Sequence, residues 1–197
     1  MKEYYQNRYS GAPSVVLGFH GCHRDVLEQT ISSNEHLKPS QNVYDWLGTG
    51  IYFWEANPNR AEEWAKERYG DNWGVIGAFI ELQTCLNLLE QRCLDELELA
   101  YDSYLTISKA ANQSIQKNTN SKRNLNSDDL LNRKLDCAVI NHLHSIRKGA
   151  YDTVRGVFWE GEELYPNAGF KKRNHIQISV VNPKSILAYF MPKCFEF

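Results

Sequence analysis

The sequence predicts an α+β domain built on a strongly bent sheet or on two facing sheets. Short apolar, strand-like runs stand toward both ends of the chain, segments with helical apolar spacing lie between them, and no internal repeat interrupts the series. At 197 residues the chain reads as one domain, 1–197, large enough to bury a core and carrying a polar insert around 109–127.

Val15-Val16-Leu17-Gly18-Phe19-His20 is the first strand, apolar and ending at a histidine. A helix over 24–33 follows, where Val26, Leu27 and Ile31 recur at helical spacing and Asp25 sits in the first turn. Lys38-Pro39-Ser40-Gln41-Asn42 is a loop by composition. Residues 47–54 are glycine-punctuated and then apolar, the pattern of a strand that a ligand approaches closely. Asn57 as cap and Pro58 in the first helical position open a helix that runs to about Tyr69 and stops at Gly70. Residues 75–82 form a strand, and Leu89, Cys93, Leu94, Leu97, Tyr101 and Tyr104 give helical spacing over 88–105. The Asn-, Ser- and Lys-rich run 112–126 reads as a mobile loop. Ser127-Asp128-Asp129 is then expected to cap a helix reaching Arg147-Lys148, with Gly149 as its stop. Strands over 153–160, 176–181 and 186–190 complete the set.

Composition excludes several function classes. Apolar content of 42%, with 12% aromatic, argues against disorder. No apolar run approaches the roughly eighteen residues of a membrane span, and MKEYYQNRYSG reads as no secretory signal. Cys22, Cys85, Cys93, Cys137 and Cys194 are scattered without a CxxC pair, so neither a disulfide framework nor a metal site is expected, and a reduced cytoplasmic location is. A net charge of −2 gives no global attraction to nucleic acid or anionic membranes. Two basic clusters stand out locally: Lys109, Lys117, Lys122 and Arg123 in a stretch without acids, and Lys171-Lys172-Arg173 before a strand.

Two segments carry the chemistry. Gly18-Phe19-His20-Gly21 comes first, and Gly48-Thr49-Gly50-Ile51-Tyr52-Phe53-Trp54 follows about thirty residues later. The pair resembles the nicotinamide-binding half of ADP-ribosyltransferases of the diphtheria-toxin and poly(ADP-ribose) polymerase type, a likeness that extends over roughly 20–190. The resemblance implies a split or bent β-sandwich with flanking helices, and NAD⁺ as substrate. In that family the glycosidic bond loosens toward an oxocarbenium ion while neutral nicotinamide departs, so the protein must hold the ring, place the ribose and stabilise positive charge.

By that resemblance His20 hydrogen-bonds an adenosine ribose hydroxyl, Gly21 offers main-chain groups to the nicotinamide amide, and Tyr52 stacks on its ring. Gly50, Trp64 and Tyr44 are the remaining cofactor-side candidates, Trp64 and Tyr44 serving either the cofactor or packing, as does Trp46. The third family position is usually a glutamate. Alternation places His175, Gln177 and Ser179 on one strand face, which makes Gln177 the residue in that place. Glutamine orients a hydroxyl but removes no proton, so mono-ADP-ribosylation is expected rather than chain elongation. Glu160 and Glu162 are the candidate bases, with Arg155 and His175 as secondary candidates, Arg155 either meeting the pyrophosphate or pairing with an acid. Lys171, Lys172 and Arg173 would read a phosphate-bearing acceptor, slightly favouring RNA over protein. Small stand-alone bacterial members with this His-Tyr-[Glu/Asp/Gln] pattern look like toxins of toxin–antitoxin or phage-defence systems, and the resemblance implies that role here, with a neutralising antitoxin protein as partner. Three alternatives stand beside this reading: a silent NAD- or ADP-ribose-binding module, an NAD glycohydrolase, and an RNA 2′-phosphate-removing relative, whose branch carries a histidine where this chain has Tyr52.

Overall fold

The computed structural model describes residues 14–33, 35–120 and 130–193. Among these, β1 (Val15–His23), α1 (Arg24–Ser33), β2 (Ile51–Glu55), α2 (Pro58–Tyr69), β3 (Trp73–Glu81) and β4 (Cys85–Asn87) come first. They are followed by α3 (Gln91–Ala110), α4 (Lys134–Ile146), β5 (Thr153–Phe158), β6 (His175–Val180) and β7 (Ile186–Phe190). The seven strands form one open sheet in the order β4-β5-β6-β2-β1-β3-β7. Every neighbouring pair is antiparallel except β4 and β5, which run parallel with α3 and α4 in the connection between them. The α+β class is therefore present, as one hydrogen-bonded ladder rather than two separate sheets.

Alternation along the strands sorts the core onto two faces. On one face Val16, Cys22, Phe53, Ile76, Ile80, Ile178 and Val180 pack with Leu27 of α1. On the other, Phe19, Trp54 and Val75 meet Ala61 of α2, while Leu86, Val154 and Phe158 lie under Cys93, Ala100, Val139 and Leu143 of α3 and α4.

Most elements follow the local signals. Asn57 caps α2 by accepting from the Arg60 N–H at 3.1 Å, and Gly70 closes it at φ +56°. Three differences have physical causes. β4 is only three residues long and is paired in parallel, which leaves no alternation to read. α3 continues to Ala110, five residues past the expected stop, where Ser108 is still buried. α4 begins at Lys134, and the expected cap at 127–129 lies outside the described residues. The side-chain cap comes instead from Asn118, whose Oδ1 accepts from the Leu135 and Asp136 N–H groups at 2.9 and 3.3 Å. With the Thr119–Asn132 bridge, this ties the described part of the polar insert to the helix it precedes.

One buried ion pair braces the strands that matter for the site. Arg155 of β5 donates from Nε and Nη2 to both carboxylate oxygens of Glu55 at the end of β2, at 2.6 and 2.8 Å, reaching across β6. The side chains are 11% and 13% exposed. Of the two readings for Arg155, the structure shows pairing with an acid. Removing one partner leaves the other charge buried and unpaired, so Glu55→Ala is expected to cost about 3–5 kcal/mol in urea unfolding. A Glu55→Leu, Arg155→Met double variant should recover most of that loss.

Candidate active site

The ladder lapses in its middle. β1 pairs with β2 only at Gly18–Glu55 and Phe19–Trp54, although it stays paired with β3 as far as His23–Trp73. The Leu17 carbonyl accepts from Ala56 N–H, so odd-numbered main-chain groups of β1 point toward β2. Gly21 is the next such residue after Phe19, and no described strand pairs with it on that side. The carbonyl that register would bring to it, that of Tyr52, is held instead by the His20 ring at 2.8 Å.

A cleft of about 410 Å³ opens at this split. His20, Tyr52 and Gln177 all line it, so three adjacent strands bring the sequence-derived trio to one place. Strand parity sets His20 on the Phe53 face and Tyr52, Trp54 and Gln177 on the other, and the open ladder lets one cleft reach both. Trp64 and Tyr44 also contribute to the lining.

The polar geometry is determined by carbonyls, which can only accept. Because His20 Nδ1 bonds the Tyr52 carbonyl, Nδ1 carries the hydrogen and Nε2 of the neutral ring is an acceptor. Burial pulls the His20 pKa below the usual 6.5 and so favours that neutral form. The Tyr52 hydroxyl donates to the Gly48 carbonyl at 2.5 Å and accepts from Leu47 N–H at 2.8 Å. Desolvation drives its pKa far upward, so this tyrosine is a fixed, protonated wall.

Glu160 reaches the lining, with Oε2 accepting from Arg60 Nη2 at 2.8 Å and Oε1 3.7 Å from Arg173 Nη1. Glu162 does not: it is 83% exposed and bonds Lys172 at 2.8 Å, which holds its carboxyl below the usual range. Gly50 is also off the lining, its main chain exchanging hydrogen bonds with Ser40 and its hydrogen atoms facing Ser179 and Val180 too closely for a side chain. Gly21 has a packing reason of its own, since a Cβ there would collide with the Ala61 carbonyl of α2.

Lys171, Lys172 and Arg173 stand outside the cleft on the β5–β6 hairpin. Lys172 is neutralised by Glu162, and Arg173 lies 3.2 Å from Glu67 and 3.8 Å from Glu63. What the hairpin does present is apolar: Trp159, Leu164, Tyr165 and Phe170 are 53–63% exposed. Residues the sequence left unassigned also line the cleft, notably Lys38, Arg60, Arg68 and Tyr69. Arg68 lies over the Trp64 and Tyr69 rings at 5.5 and 5.9 Å. Its spacing from Trp64 on α2 was a legible i,i+4 signal. Lys38 sits in a composition-defined loop and gave none.

Among the described residues, no group of three or more His, Cys, Asp or Glu is placed to hold a metal ion, and no helix is long and apolar enough to cross a membrane. The thiols of Cys22 and Cys85 are pushed up to about 12 and about 11 by burial, which leaves them protonated and inert. Comparison with protein-family models, with curated proteins and with solved structures found no match to this chain.

Two tests follow from this geometry. Tyr52→Phe keeps the ring but strips partners from Leu47 N–H and the Gly48 carbonyl, and should cost about 1–3 kcal/mol in urea unfolding. Burial lowers the pKa values of His20, His144 and His175 from 6.5, so the unfolded chain binds protons more readily than the folded one. Their contribution is full above about pH 6.5 and declines as pH falls through 6.5 toward the folded values. Urea midpoints should therefore drop between about pH 7.5 and pH 5.5, above the range where carboxylates titrate.

Proposed function

We propose that this protein breaks the nicotinamide–ribose bond of NAD⁺ and transfers the ADP-ribose to a macromolecule once per acceptor site. The observation that carries the reading is the convergence of His20, Tyr52 and Gln177, from three adjacent strands, on one cleft. A split or bent β-sandwich of the ADP-ribosyltransferase type is the finer fold reading that goes with it.

The cleft is within the size range of small-molecule sites, and its aromatic and cationic lining supports the reading. Tyr52 and Trp64 are walls for the nicotinamide ring, and Gly21, which is off the lining but adjoins His20 and has no ladder partner on the β2 side, is the main-chain group assigned to its carboxamide. The acceptor nitrogen of His20 takes a ribose hydroxyl. Lys38 and Arg68 are the cations available to the diphosphate. In the reaction the C1′–N bond breaks with its electron pair leaving on nicotinamide, and the acceptor's nucleophile forms the new bond at C1′. The nucleophile's proton passes to a base. Gln177 orients a ribose hydroxyl but takes no proton. Glu160 is the proposed proton acceptor at the cleft, and Glu162 is set aside for its position.

The ion pairs of Lys172 and Arg173 weaken the case for a phosphate-bearing acceptor, and the exposed apolar residues of the hairpin favour a protein one. A toxin role with an antitoxin partner rests on the resemblance alone.

Incubating the protein with NAD⁺ labelled on its adenylate, in the presence of separated RNA, DNA and soluble protein, tests the reading. Label should enter the protein fraction, and His20→Ala or Tyr52→Ala should reduce transfer by at least about a hundredfold. Free ADP-ribose without labelled macromolecule would make the protein a glycohydrolase. No nicotinamide release from the parent protein would reduce it to a binding module.

A further inference from the structure

We propose that His175 is a positioning residue that fixes the Gln177 amide, holding its carbonyl oxygen for the cleft. The proposal rests on the reading of Gln177 as the residue that orients a ribose hydroxyl. His175 Nδ1 lies 2.7 Å from the Arg173 carbonyl, so Nδ1 carries a hydrogen and Nε2 of the neutral ring accepts. Gln177 Nε2 lies 3.0 Å from that acceptor and donates to it. A planar amide with its nitrogen committed this way has its oxygen turned elsewhere, and Gln177 lines the cleft. Two hydrogen bonds thus convert a backbone carbonyl into a defined orientation for a side chain that otherwise flips freely.

The ring that transmits this orientation is itself held. Its side chain is fully buried, stacked at 27° on Trp46 and tilted at 35° against Phe158, with centroids 5.9 and 5.7 Å away. Arg133 lies over those same two rings at 4.7 and 4.9 Å and closes the cage. Trp46 is anchored in turn by its indole N–H to the Leu131 carbonyl at 2.9 Å.

The arrangement works only with a neutral ring. A proton on Nε2 would set donor against donor and turn the amide, withdrawing its oxygen. The charged groups facing His175 are Glu160, whose Oε2 is 3.9 Å from Nδ1, Arg60 on α2, and Arg133 ahead of α4. The carboxylate favours the proton, the two guanidinium groups oppose it, and burial opposes it most.

Nitrogen-15 NMR of His175 and of the Gln177 side-chain amide tests the orientation without any assay of turnover. At about pH 7.5 the neutral tautomer with hydrogen on Nδ1 is expected, and His175→Phe, which keeps an aromatic ring in the cage, should shift the Gln177 amide protons. In Gln177→Glu the new carboxylate accepts only, so His175 must gain a proton to bond it and its pKa should rise above that of the parent. Nε2 protonated in the parent, or an unmoved His175 titration in Gln177→Glu, would overturn the proposal. Where the parent releases nicotinamide, His175→Phe should lower kcat about tenfold with KM for NAD⁺ changed less than about twofold. An unchanged kcat in folded His175→Phe would likewise overturn it. A parent without turnover defeats the proposed reaction, and the NMR outcome then decides the orientation by itself.

Discussion

Everything about the cleft depends on one hydrogen bond in an unusual place, from the His20 ring to the Tyr52 carbonyl. That carbonyl would ordinarily belong to the ladder between β1 and β2. Because a side chain occupies it, the two strands stop pairing after Phe19 while each remains fully supported on its outer side, β1 by β3 and β2 by β6. The sheet therefore keeps its continuity and still opens. A gap in a ladder normally leaves unmatched main-chain groups, and here the gap lies beside His20 and Tyr52, both of which line the cleft.

The surroundings are stiff where the gap is open. The Arg155–Glu55 pair links β5 to the end of β2 across β6, and α2 presses so closely on β1 that only glycine fits at position 21. Tyr52 is held through its hydroxyl and His175 by its aromatic cage. Side chains locked by neighbours lose little freedom on meeting a ligand, which is the physical content of preorganisation. The β5–β6 hairpin contrasts with this, Lys172 pairing with Glu162 within it, Arg173 and Glu160 pairing with charges of α2, and its large apolar side chains turned outward.

The sequence made local matters legible and nonlocal ones obscure. Asn57, Pro58 and Gly70 announce α2 because each acts on its own backbone. Gln177 was identifiable by alternation, since a strand's period does not depend on its partners. The cap on α4 was not, because Asn118 stands in the polar insert and reaches a helix seventeen residues away. Likewise Lys171, Lys172 and Arg173 read as a cationic patch until Glu162, Glu67 and Glu63 came beside two of them. Charge counts along a chain say what is present and not what is already neutralised.

The position of β6 has a consequence for the timing of biosynthesis. It inserts between β2 and β5, and Tyr52 of the early segment finds its ladder partner in Ser179, far along the chain. A polypeptide still being translated displays β1 and β2 long before the strand bearing Gln177 leaves the ribosome. Long-range antiparallel closure of this kind is also slow. The trio is thus incomplete until β6 has been made and has inserted between β2 and β5, so whatever the cleft does begins only after that closure.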